Sequence, residues 1–192
     1  MTWELVITRT RTEKRKSTVR TIGSYEVHHD GAAIDTRAQG AWATGQSVET
    51  HGPGDNTISG TRDHDRLEAG TYPLWTHGSP RYATFGYAQE HESLVIYDYW
   101  ERPHPCLGIE GTGYRAGCLI HPGIGFLASI GCINLSDVLP GPDHDMDYTE
   151  SWHRVVSVID DVKSFLTSRT TSFPHVNNQP IPGATLTIIG EP

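Results

Sequence analysis

The sequence predicts a β-dominated α+β domain with one amphipathic C-terminal helix packed on a sheet. Three observations carry this reading. Several short runs alternate apolar and polar residues, one long segment alone carries a helical period, and neither a repeat nor a linker divides the chain. With 192 residues, 36% of them hydrophobic, the chain is long enough for one domain with a real core and short for two, so residues 1–192 read as a single domain. Gly and Pro make up about 17%, below the roughly 25–30% that signals low complexity, which points to a folded, loop-rich protein.

The elements follow in order. Trp3, Leu5 and Ile7 alternate with Glu4, Val6 and Thr8, the pattern of a strand with one strongly apolar face. Between Arg9 and Arg20 come Arg11, Lys14, Arg15 and Lys16 against the single acid Glu13, after which Gly23, Tyr25 and Val27 resume the alternation. This reads as a hairpin with a charged loop, its basic tip a solvated turn or, as the alternative, a docking surface for an acidic partner. From Asp30 to Asp65 the composition shifts to Gly, Thr, Asp and Asn, which predicts a long surface excursion around the core. Gly70 to Trp75 reads as a short strand that Pro73 confines to an edge or a bulge. Leu94-Val95-Ile96-Tyr97 is a continuous apolar run suited to a central strand buried on both faces. The helix spans 149–167, where Trp152, Val155, Val158, Ile159, Val162, Phe165 and Leu166 recur at three- and four-residue steps. Asp147 or Thr149 can cap its start, and Lys163 lies near its other end. Ala184, Leu186 and Ile188 form a closing strand.

The net charge of −8 repels phosphate backbones and anionic membranes, which argues against nucleic acid as the main partner. No stretch approaches the roughly 20 apolar residues of a membrane span, and Met1 to Asp30 lacks the apolar core and cleavage site of a secretory signal. Synthesis in the cytoplasm without a signal peptide is the expectation. Three cysteines, Cys106, Cys118 and Cys132, are too few for a disulfide framework and odd in number, so at least one thiol is unpaired.

Chemistry concentrates in Arg115 to Gly123 and Ser129 to Leu135. A free thiol of pKa about 8.5 is only a few per cent thiolate at neutral pH, so a cysteine nucleophile needs a base or cation nearby. His121 lies upstream of Cys132 with Gly123 and Gly125 between them, so a strand, a flexible loop and a return would bring imidazole to thiol and lower its pKa. Gly131 permits a tight turn before Cys132, where main-chain amides can stabilise an oxyanion. Cys132, His121 and Gly131 are therefore the candidate catalytic residues, and Arg115 a candidate substrate contact. The planar fork of Arg115 suits a carboxylate, although an exposed structural arginine explains it as well.

Other readings compete. A buried Cys132 can be a small hydrophobe in a non-enzymatic binding or structural module, with the Asp30 to Asp65 excursion as its recognition surface. Cys106, Cys118, His121 and Cys132 offer a Cys₃His zinc set, against which strand alternation would put Cys118 and His121 on opposite faces. His28, His29, His64, His144 and His153 show no compact ligand motif and read as surface histidines. No cofactor or metal is expected.

Ser129-x-Gly131-Cys132-Ile133-Asn134, preceded by His121-Pro122-Gly123, resembles the active-site signature of L,D-transpeptidases, in which His-Gly is followed by Ser/Thr-His-Gly-Cys, a hydrophobic residue and Asn or Arg. Ile130 stands where those enzymes carry their second His, and the interval from His121 to Cys132 is shorter than theirs. Most of the chain up to Leu135 is also similar to a small phage- and secretion-associated family with a domain of unknown function. The shared features are Thr8-Arg9-Thr10, Thr21-Ile22-Gly23, Ala69-Gly70-Thr71-Tyr72-Pro73, and Arg115-x-Gly117-x-x-Ile120-His121-Pro122-Gly123 ahead of Gly131-Cys132-Ile133.

The resemblance implies an L,D-transpeptidase-like sheet core and a cysteine enzyme of peptidoglycan stem peptides. In that reading Cys132 forms a thioester, His121 moves its proton, Ser129 joins the catalytic set by supporting the loop or orienting His121, the Gly131 and Cys132 amides bind the oxyanion, and Asn134 and Gly123 join Arg115 as substrate contacts. It is similar also to type VI secretion effectors of this kind. It implies action in the periplasm or cell wall after delivery by a secretion apparatus or phage lysis, with a cognate immunity protein or a secretion or phage component as a partner.

Overall fold

The computed structural model describes residues 1–34, 42–57, 66–89 and 102–192. Strands dominate, and a single α-helix among the described residues packs on them near the C-terminus, so the α+β class is the observed one. The strands are β1 (Trp3–Arg15), β2 (Thr18–His29), β3 (Ala32–Ala33), β4 (Thr44–Thr50), β5 (Gly70–Trp75), β6 (Tyr82–Ala83), β7 (His104–Pro105), β8 (Leu107–Ile109), β9 (Leu119–Pro122), β10 (Ile133–Ser136) and β11 (Pro180–Ile189). The helix, α1, is Tyr148–Ser168. It is not long and apolar enough to cross a membrane.

The main sheet runs β1-β11-β5-β8-β9-β10-β4-β2-β3, and β1 also pairs with β2, so the eight strands from β1 round to β2 close on themselves. Closure follows from strand length. β1 and β2 pair antiparallel along nearly their whole extent, while β1 presents its other edge to β11 in parallel. Trp3, Leu5 and Ile7 face one core with Tyr25, Val27, Leu186 and Ile188, as the period of two requires. Val155, Val158, Ile159, Val162, Phe165 and Leu166 lay the apolar face of α1 into the same core. Asp147 caps this helix by accepting the Glu150 amide at 3.0 Å.

Four expectations are corrected or completed. The hairpin is the expected one, but its charged loop is only a two-residue turn: β1 continues to Arg15 and β2 starts at Thr18, with Arg11 and Arg20 paired to Glu13 inside the ladder and Arg15 to Asp145 outside it. Glu13 bonds Arg20 at 2.6 Å and Arg11 at 2.7 Å, while the Arg20 guanidinium lies 4.2 Å from the Phe126 ring centre. Within the expected surface excursion, Thr44–Thr50 is a sheet strand between β10 and β2, with Ser47, Val48, Glu49 and Thr50 all buried. Its polar residues are buried because they find partners: Glu49 takes Arg9 through both carboxylate oxygens, and Thr50 O accepts the Thr21 hydroxyl. β5 is not an edge strand, since β11 and β8 flank it, but the register of β11 breaks opposite Pro73 and Trp75. His29 is half-buried rather than a plain surface residue, with Nε2 2.7 Å from Asp161 and its ring against Phe165. Leu94 to Tyr97 lies outside the described residues.

Candidate active site

Parallel strands β9 and β10 bring Asn134 opposite His121. Ile120, Ile133 and Leu135 turn into the main core, so His121 and Asn134 issue from the other side of the two strands. Both are nonetheless buried. The short sheet of β6 and β7 covers this side, with the Tyr82 ring 4.5 Å from the imidazole.

His121 is held by a chain of hydrogen bonds. Its Nδ1 lies 2.7 Å from Pro122 O, and because a carbonyl only accepts, Nδ1 carries the hydrogen and the ring's lone pair sits on Nε2. Asn134 Nδ2 donates to His121 O at 3.0 Å and to Pro122 O at 3.4 Å, and the Ser129 hydroxyl donates to Asn134 Oδ1 at 3.0 Å. Ser129 thus supports the His121 segment through Asn134. Burial pushes the His121 imidazole down to about 4, and the charges of Arg81 and His104 add to this, against the Pro122 hydrogen bond.

Cys132 stands one residue ahead of β10. Its sulfur receives the amide of Leu119, which lies two residues before His121 on the neighbouring strand, and also reaches Gly117 O at 4.0 Å. Thiol and imidazole therefore leave adjacent strands with a two-residue offset, and no hydrogen bond joins them directly. Burial pushes the Cys132 thiol up, and the Leu119 amide, Arg115 and Arg81 pull it back only in part. The expected lowering is overturned because desolvation outweighs the cations. The resting pair is a thiol and a neutral imidazole.

Gly131 adopts φ +87°, and a Cβ there would come 2.7 Å from Arg115 Nη2, so the glycine serves both the turn and the close approach of the guanidinium. Arg115 is not the exposed arginine of the alternative reading. It is buried, with its main chain fixed by a turn in which Arg115 N donates to Thr112 O and Arg115 O accepts the Thr112 hydroxyl.

Two expected substrate contacts are internal instead. Gly123 donates its amide to Ser151 Oγ on α1, and a Cβ would strike Asn134 at 2.8 Å and Met146 at 2.9 Å. Asn134 is fully buried, with its amide engaged by the β9 carbonyls. One packs and the other positions. The cysteines also separate. Cys118 joins the main core with its thiol pushed up to about 11 by burial, and burial drives Cys106 higher still. Among the described residues no group of three or more His, Cys, Asp or Glu is placed to hold a metal ion, which removes the geometric basis of the Cys₃His set.

Tyr82, His104 and Tyr148 join the site without any mark in the sequence. His104 Nδ1 lies 2.6 Å from the Tyr148 hydroxyl, and Tyr82 packs against both His104 and His121. They converge on the site from β6, β7 and the first residue of α1, far apart in the chain, so no local spacing marks them. Compared with known proteins, the chain matches no family model, no curated protein and no solved structure.

Proposed function

We propose that this chain is a cysteine-dependent enzyme of peptidoglycan stem peptides, of L,D-transpeptidase or L,D-carboxypeptidase type. The observation that supports it is the tethered His121. Its Nδ1–H is committed to Pro122 O, which leaves Nε2 as the basic atom on the strand beside Cys132. Nε2 takes the thiol proton as Sγ attacks the peptide carbonyl, and the Gly131 and Cys132 amides receive the oxyanion. Collapse breaks the C–N bond, the imidazolium returns its proton to the leaving amine, and a thioester remains on Cys132. An acceptor amine or water, deprotonated at Nε2, then attacks the thioester and regenerates the thiol. The resemblance of Ser129 to Asn134 to the L,D-transpeptidase signature names the substrate class.

The deciding experiment is mass spectrometry of muropeptides incubated with the protein and with Cys132→Ala. Stem-peptide length or cross-linking should change only with the intact thiol, and identical products from both would refute the proposal. A second reading, a non-enzymatic phage or secretion module, is favoured by one fact: burial holds the Cys132 thiol above its ordinary value. For that module Cys132→Ala changes nothing but packing.

A further inference from the structure

We infer that Arg115 forms a carboxylate-binding subsite beside the Cys132 thiol. Arg115 is nine-tenths buried, and its Nε has no hydrogen-bond partner. It makes no ion pair among the described residues. The other buried arginines do: Arg9 holds Glu49 at 2.8 Å, Arg20 holds Glu13 at 2.6 Å, and Arg66 and Arg154 each hold a carboxylate. Its side chain reaches the Cys118 thiol, which is uncharged, so the buried guanidinium is left without an anion, and a bound carboxylate would offset that desolvation cost. Asp55 feels its charge, but that carboxylate is taken by the amide and hydroxyl of Thr57.

The position of the guanidinium selects what it binds. Its Nη2 rests against bare Gly131, the residue before the nucleophile, so a bound carboxylate lies within about one residue of the carbonyl that Cys132 attacks. The fork of Arg115 takes such a group through two parallel hydrogen bonds. The subsite therefore favours a peptide with a free carboxylate next to the scissile bond over an amidated or internal one. This deepens the stem-peptide reading and rests on it for the peptide, but not for the anion.

The test compares alkylation of Cys132 by iodoacetate and by iodoacetamide, measured side by side at one pH. A change in thiolate fraction alters both rates equally, so their ratio reports recognition of the carboxylate alone. Arg115→Gln should lower the iodoacetate-to-iodoacetamide ratio at Cys132 about tenfold, the scale of one charge-assisted hydrogen bond, and Arg115→Lys should restore part of it. Circular dichroism identifies a variant that fails to fold, in which case Arg115→Lys alone should show an intermediate ratio. An unchanged ratio in the folded variants overturns the subsite. If the ratio falls while no muropeptide is altered, the subsite stands and the peptidoglycan reading fails. If muropeptides are processed, the free-carboxylate form should be preferred over its C-terminal amide, and equal processing of both counts against the subsite.

Discussion

At neutral pH the Cys132 sulfur and the His121 ring are both uncharged, so the proposed mechanism requires a proton to pass between them at the moment of attack. The three thiols should still differ. Limited iodoacetamide treatment followed by peptide mapping should label half-buried Cys132 first, with Cys118, pushed up to about 11, and the fully buried Cys106 lagging. Because burial raises the Cys132 thiol, its labelling rate should keep climbing above about pH 8. A plateau near neutrality would reveal a thiolate–imidazolium pair and contradict the structure. The return of the Cys132 segment beside that of His121 was legible in the sequence, where two glycines and a short interval allow it. The role of Asn134 was not, since only the parallel register of β9 and β10 turns its amide onto the His121 and Pro122 carbonyls, the second of which holds the imidazole.

The β1–β2 hairpin shows why a charge run misleads when it is read locally. Glu13 and Arg20 lie opposite each other in the ladder, and both are buried. Removing Glu13 leaves the Arg20 charge uncompensated, so Glu13→Ala should cost about 3–5 kcal/mol in urea unfolding. An effect within ~0.5 kcal/mol would mean that the pair is solvated after all. At the turn the expectation reverses. Lys16 sits at φ 55°, a conformation that glycine adopts without penalty, so Lys16→Gly should be neutral or stabilise by up to ~1 kcal/mol. The same non-local pairing hid β4, where Val48 is the only branched apolar residue and Glu49 is buried because the Arg9 side chain reaches it from β1, beyond β2. The alternation of Trp3, Leu5 and Ile7 and the helical period of α1 were readable because their burial follows from apolar spacing alone.

Over the whole molecule, buried polar groups rather than the net charge of −8 set the response to acid. His121, His104 and His77 all lie below the ordinary histidine value, chiefly through burial. The folded state therefore refuses protons that the unfolded chain accepts, and stability is lost as pH falls from about 6.5 toward the folded values. For His121, which titrates at about 4 when folded, the loss approaches 3 kcal/mol across that window. Glu13 and Glu191 act later. Against the upward push of burial, hydrogen bonds from Arg20 and Arg11, and from Arg66, hold these carboxyls low, and their contribution goes only below about pH 4.5. Urea unfolding at pH 7.5, 5.5 and 4.5 should show a steady loss in the native protein that His121→Gln reduces by about 2.5 kcal/mol between the end points. The glutamine does not titrate, so any drop left in the variant belongs to His104, His77 and the carboxylates. If native stability holds constant from pH 7.5 to 4.5, His121 takes up its proton in the folded state as readily as in water. The buried, Pro122-tethered neutral base would then be wrong.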